Sequence, residues 1–212
     1  MFDKMDFNGQ EEEFNKYVKL RVRFLYLQFY NIFLEKKDKV NYNEIKSCII
    51  YDKNLRDKIY VYLATFEELL RATILERYDL RMPLSECKNE KNYISNLARN
   101  IYITDNHNSS ELYYKLNLDL GDLIKLCEII KMYDSKTCKE LHEIRKLRNN
   151  VMHHNVVVLG EARTYSEMSK HRDVVLNRIK VLSRWLPSDY KQGFINEINK
   201  ISCDVKEYKV EI

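Results

Sequence analysis

Residues 54–79 read NLRDKIYVYLATFEELLRATILERYD, and the spacing inside this stretch decides the fold class. Leu55, Ile59, Tyr62, Phe66, Leu69/Leu70, Thr73 and Ile74 recur every three to four positions, the period of one face of an α-helix. Asn54 is placed as the N-cap, and Met82-Pro83 ends the pattern. Working outward, residues 11–36 repeat the same spacing through Phe14, Tyr17, Val18, Val22, Leu25, Phe29, Ile32 and Phe33. A short helix is predicted over 42–50, another over 91–102, and a polar loop over 105–110. The stretch from Leu112 to Tyr133 is helical in pattern, with Gly121 as a weak point. Ser135, in a stretch (Asp134 to Thr137) suited to capping, is placed as the cap of a further helix that runs to about Asn155. Helices over 164–184 and 188–202 follow, parted by Pro187. Val156 to Leu159 is β-prone but too short to imply a sheet.

Composition points the same way. The 212 residues include 4 Gly and 2 Pro, where average usage would give about 25 of the two together. Tight β-turns and phosphate-cradling loops need the positive φ of glycine and the fixed φ of proline. Sandwiches, barrels and glycine-rich nucleotide folds are therefore excluded, and an all-α protein with long amphipathic helices is expected. No repeat, low-complexity tract or linker interrupts the chain, so one domain over 1–212 is the simplest organisation.

Hydrophobic residues make up 45% of the chain, too many for a disordered protein. The start, Met1 to Asp6, lacks the basic and apolar regions of a secretion signal. The most apolar stretch, Phe24 to Leu34, falls short of a membrane span. Five cysteines, odd in number and without a Cys-x-x-Cys pair, argue for reduced thiols rather than a disulfide framework or zinc site. A cytoplasmic protein without membrane contact is expected, with no metal and no cofactor. Charge is uneven: 136–184 carries eleven Lys or Arg against five acids. That suits either a polyanionic partner or a solvated helix face.

Chemistry concentrates at Leu147-Arg148-Asn149-Asn150-Val151-Met152-His153-His154-Asn155. At about 100° per residue, Leu141, Ile144, Leu147 and Val151 form a stripe roughly 120° wide, and Arg148 falls inside it. A guanidinium on an apolar face must be ion-paired or wait at a boundary for an anion. His153 and His154 occupy the last turn, where the macrodipole favours a cation. Arg148 and His153 lie roughly 140° apart, so one helix alone aims them poorly at one phosphate; a second chain facing the first, or a local distortion at the helix end, would solve this. His142 shares a stripe with Arg145, Lys146, Asn149 and His153, which suits an RNA-contacting face or a solvated one. His107 and His171 lie apart from any metal-ligand spacing.

The run from Arg148 to Asn155 resembles the Arg-Asn-x-x-x-His-His signature of the HEPN superfamily, in particular the Abi-like abortive-infection proteins of bacteria. A preceding Phe-Glu-x-x-Leu-Arg segment is similar to Phe66-Glu67-Glu68-Leu69-Leu70-Arg71. Glu67 and Arg71 also read as a plain i,i+4 ion pair. The motif-bearing helices span about 54–79 and 135–155. The resemblance implies a HEPN-like helical bundle that forms a homodimer with a composite active site. It implies metal-independent RNA cleavage by an abortive-infection or toxin effector in antiviral defence, leaving 2′,3′-cyclic phosphate and 5′-hydroxyl ends. On this reading His153, or its neighbour His154, is the general acid/base. Arg148 clamps the transition state, Asn149 orients, and Glu67 positions Arg or His. Arg71, His142, Arg145 and Lys146 contact RNA, and an antitoxin or regulatory protein is a further possible partner. Where some members carry Tyr two residues after the His, this chain has Asn155. The alternative is a non-catalytic helical dimer that binds RNA or a protein through the basic 136–184 face.

Overall fold

No Gly or Pro falls between residues 42 and 77, and the backbone there does not break. In a computed structural model, which describes residues 2–20, 23–77 and 118–212, Tyr42–Arg77 is one helix of 36 residues. At 1.5 Å per residue it is about 54 Å long. The two helices expected from the sequence, over 42–50 and from Asn54 onward, are thus merged. Asn54 is exposed in mid-helix. The start is capped by Asn41, whose side chain accepts a hydrogen bond from the Asn43 amide at 2.8 Å. The merger has a packing cause. Cys48, Tyr51, Leu55 and Ile59 are all fully buried, so the apolar stripe crosses 50–54 without a gap. Burying it as one ladder avoids the orphan amides and carbonyls that two helix ends would create.

The described residues form seven helices and one short strand pair. In chain order these are β1 (Met5–Asp6), α1 (Glu11–Leu20), α2 (Arg23–Leu34), β2 (Val40–Asn41), α3 (Tyr42–Arg77), α4 (Leu120–Ile129), α5 (Ser135–Met152), α6 (Tyr165–Trp185) and α7 (Ser188–Asn199). The architecture is all-α, because β1 and β2 pair in parallel over only two residues each. The helix expected over 11–36 is seen as α1 and α2, on either side of residues 21 and 22. The predicted helix over 91–102 and loop over 105–110 lie outside the described residues. Of the helix expected over 112–133, residues 112–117 lie outside the described ones; Gly121 sits in the first turn of α4, which ends at Ile129, and Asp119 caps that turn by accepting from the Asp122 amide. No helix among the described residues is long and apolar enough to cross a membrane.

Two compact units account for the chain. One contains Met1–Val61 together with Asn149–Ile212. Its N-terminal part is built on aromatic edges: Phe14 meets Phe2, Tyr42 and Tyr26 at centroid distances of 5.1, 5.4 and 5.6 Å, each edge-to-face. Its C-terminal tail returns to α3, where the Val210 amide donates to the Tyr51 hydroxyl at 2.9 Å. The buried Tyr208 ring packs edge-on against Phe29 and Tyr51. The other unit, Tyr62–Arg148, buries Leu63, Phe66 and Leu70 of α3, Leu123 and Ile124 of α4, and Leu141, Ile144 and Leu147 of α5. Inside it the Arg71 guanidinium donates to the Leu118 carbonyl at 2.6 Å.

Candidate active site

Helix α5 carries the motif, and its two ends are made differently. At the start the Asp134 carboxylate accepts from the Thr137 amide at 2.7 Å, so the capping residue is Asp134 rather than the expected Ser135, which is the first helical residue. Hydrogen bonds from the Thr137 side chain and backbone hold that carboxyl below its ordinary range. Leu141, Ile144 and Leu147 are fully buried and Val151 nearly so. Arg148 is half-buried beside this stripe. Its Nε is buried and has no hydrogen-bond partner among the described residues. Asn149, next in the chain, is exposed.

The helix expected to reach Asn155 stops at Met152. The His154 amide donates to the Val151 carbonyl at 3.2 Å, and the Asn155 amide reaches back to the Asn150 carbonyl at 3.0 Å. These two bonds are a Schellman motif, with His153 as C-cap and His154 as the left-handed residue after it. His154 has φ of 54°, a region most side chains avoid and glycine adopts freely. The outcome is a hook that turns the chain sharply and leaves both imidazoles exposed.

A cation from α3 secures the hook. Arg56 Nη1 donates to the carbonyls of His154 and Asn155, the two residues after the C-cap, at 2.6 and 3.2 Å. One turn earlier, Asp52 is 2% exposed and accepts from the Val158 amide at 2.9 Å. Burial pushes the Asp52 carboxyl up, against the Val158 and Val157 amides, the Arg56 charge and the Tyr208 hydroxyl, which pull it down. The segment after the hook is pinned from the other side. His171 Nδ1 lies 3.0 Å from the Val158 carbonyl, and its ring passes so close to Gly160 that a Cβ there would sit 2.6 Å away. Gly160 also has φ of 56°, so both backbone and space demand glycine. A cleft of about 650 Å³ opens beside the hook, lined by Phe24, Gln28, Lys53, Arg56, His154 and Asn155 among others. His153 does not line it.

The remaining sequence-selected residues lie in the Tyr62–Arg148 unit, and each is engaged there. Glu67 and Arg71 form an i,i+4 ion pair at 3.4 Å. His142 Nε2 lies 2.8 Å from the Glu128 carboxylate. Burial pushes the Glu128 carboxyl up, but the hydrogen bonds from His142 and Lys125 outweigh it and hold the group low. Arg145 lays its guanidinium over Gly121, where a Cβ would meet it at 2.9 Å. Lys146 pairs with Glu143 at 2.6 Å on an exposed face, an interaction of at most about 1 kcal/mol.

Two residues that sequence reading passed over, Asp52 and Arg56, organise the hook. Asp52 did leave a trace, because a carboxylate stood on the apolar stripe of α3 between Cys48 and Leu55. Arg56 left none, since its partner lies 98 positions away. In comparisons with known proteins, the chain matches no family model, no curated protein and no solved structure.

Proposed function

We propose that the protein is a metal-independent endoribonuclease of the HEPN type, working in the cytoplasm as a homodimer and serving as an abortive-infection or toxin effector. The observation that carries this reading is Arg148, whose buried Nε has an unused donor while two exposed imidazoles follow at the end of the same helix. A half-buried guanidinium whose Nε lacks an acceptor is suited to a phosphoryl oxygen, since phosphate accepts guanidinium N–H groups in bidentate fashion. Imidazole, with an ordinary pKa of about 6.5, both takes and returns protons near neutrality. In the proposed reaction one His153 removes the proton of a ribose 2′-hydroxyl, and that oxygen attacks the adjacent phosphorus. Arg148 stabilises the charge that builds on the non-bridging oxygens. The His153 of a second subunit gives a proton to the departing 5′-oxygen, leaving a 2′,3′-cyclic phosphate and a 5′-hydroxyl. Asn149 serves as the orienting neighbour.

The alternative, a non-catalytic dimer that binds through the basic face, draws less support. Arg71, His142, Arg145 and Lys146 each already hold an internal partner or a packed position. The test is incubation of end-labelled single-stranded RNA with the protein in excess EDTA, beside Arg148→Ala and His153→Ala. Cleavage by the wild type, its loss in both variants, and survival of DNA of the same sequence are the expected results. Cleavage that requires added metal, or that persists in both variants, refutes the assignment.

A further inference from the structure

The cleft beside the hook carries groups that the proposed cleavage does not use. It lies wholly within the unit of Met1–Val61 and Asn149–Ile212. From α2 it receives Phe24, which is 68% exposed although the same helix buries Tyr26, Phe29 and Tyr30. One turn on, Gln28 is locked, because its Nε2 donates to the Ala162 and Gly160 carbonyls at 2.7 and 3.2 Å. Both partners are acceptors, so the amide cannot be reversed, and Oε1 is the end left without a partner among the described residues. The cleft thus holds a bare aromatic ring and a fixed acceptor.

Helix α3 adds charge. Lys53 is exposed and makes no ion pair or hydrogen bond among the described residues, not even with Asp57 one turn later. Arg56 uses Nη1 on the hook carbonyls, while its Nε and Nη2 make no hydrogen bond among the described residues. Anchoring one nitrogen limits the rotamers of the side chain, so the rest of the guanidinium meets an anion with less entropy to lose. Two carboxylates line the same cleft. Asp52 is taken up by the Val158 amide, and the exposed Asp57 is a second acceptor.

A ring, acceptors and two cations within about 650 Å³ match the parts of a nucleotide, and small-ligand sites usually measure about 300–1,000 Å³. We propose that the cleft binds one nucleotide whose base carries an amino group, and that this nucleotide is part of an RNA strand. The base stacks on Phe24, its amino group donates to Gln28 Oε1, and Arg56 and Lys53 hold the phosphate. Uracil has only oxygens at its exocyclic positions, so it leaves the Gln28 acceptor unpaired and is disfavoured. His154 lines the cleft and follows His153 in the chain, so the bound nucleotide flanks the one being cut. The choice of a strand over a free nucleotide rests on the ribonuclease reading above; the chemistry of the cleft does not.

The probes are fluorescein-labelled hexamers of 2′-O-methylcytidylate and 2′-O-methyluridylate, whose blocked 2′-oxygen prevents cleavage, and cytidine 5′-monophosphate as competitor. Fluorescence anisotropy with the full chain should show the cytidylate hexamer bound about tenfold tighter than the uridylate one, since the bases differ in an amino group against an oxygen. Phe24→Ala and Lys53→Ala, both at exposed positions, should each weaken cytidylate binding about tenfold. Lys191→Ala, which removes an exposed lysine of α7 away from the cleft, should leave it unchanged. Competition by the mononucleotide only at far higher concentration assigns the cleft to a strand, and equal affinity overturns that half in favour of a free nucleotide. Equal binding of the two hexamers, binding of neither, or affinity unchanged in both Phe24→Ala and Lys53→Ala overturns the proposal. Cleavage is not the readout, so a protein that binds as expected yet cuts no RNA refutes the nuclease assignment alone.

Discussion

At position 154 a histidine holds backbone that glycine would occupy at lower energy, because its Cβ crowds the carbonyl in the left-handed region. His154→Gly should therefore raise the unfolding free energy by about 0.5–1 kcal/mol, measured by urea denaturation. If His153 is the acid/base residue, the same variant keeps RNA cleavage, and its loss would transfer that role to His154. Asp52 supplies a second residue-scale test. Its carboxyl is raised in the folded chain, mainly by burial, whereas an unfolded aspartate titrates at about 3.9. The folded state therefore binds this proton more tightly, and the group's stabilising contribution is present below the unfolded pKa. That contribution is lost as pH climbs through the higher folded value. Asp52→Asn, which cannot ionise, should gain stability relative to wild type as pH rises from about 3 to 7. Urea midpoints for both proteins across that range check it, and a flat or reversed difference refutes it.

At the scale of elements, α3 shows where sequence reading succeeds and where it fails. Its stripe from Leu55 to Ile74 is legible, because hydrophobic period alone identifies one buried face. Its continuity with the stretch predicted over 42–50 is not, because Asn54 looks like a cap and a carboxylate, Asp52, stands between the two stretches. Both signals are local, and tertiary burial overrides them: Asp52 finds the Val158 amide 106 positions away. Asn54→Ala separates the two descriptions. A lost cap would cost about 1 kcal/mol, whereas an exposed mid-helix alanine should add roughly 0.5 kcal/mol. We expect the gain, read as a shift in the thermal midpoint. The end of α5 was overextended for a related reason. A Schellman turn is ordinarily announced by glycine, and here the left-handed residue is His154. The capping box of α6, between Thr164 and Glu167, is by contrast written openly in the sequence, a threonine followed three residues later by a glutamate.

For the molecule as a whole, the motif at Arg148 to Asn155 was legible as a string, but not the devices that shape it. Arg56, Asp52 and His171 reach the hook from other helices, and no spacing rule within the motif points to them. The proposed dimer makes a prediction at this scale. If each active site needs an imidazole from both subunits, His153→Ala chains poison wild-type ones. Re-equilibrating wild type with a ninefold excess of His153→Ala should lower cleavage per wild-type chain by about tenfold, since random pairing leaves few intact dimers. A protein acting as a monomer would show no decline.

The unbroken run of α3 also has a consequence in time. A helix interrupted near residue 50 would expose the amides of Lys53, Asn54 and Leu55 to solvent at a fresh N-terminus, where exchange with heavy water is fast. In a continuous ladder those three amides are bonded to carbonyls four residues back, and Tyr51 and Leu55 beside them are sealed from solvent. Their deuterium uptake should then follow the slow opening of the surrounding core, not the quick fraying of a helix end.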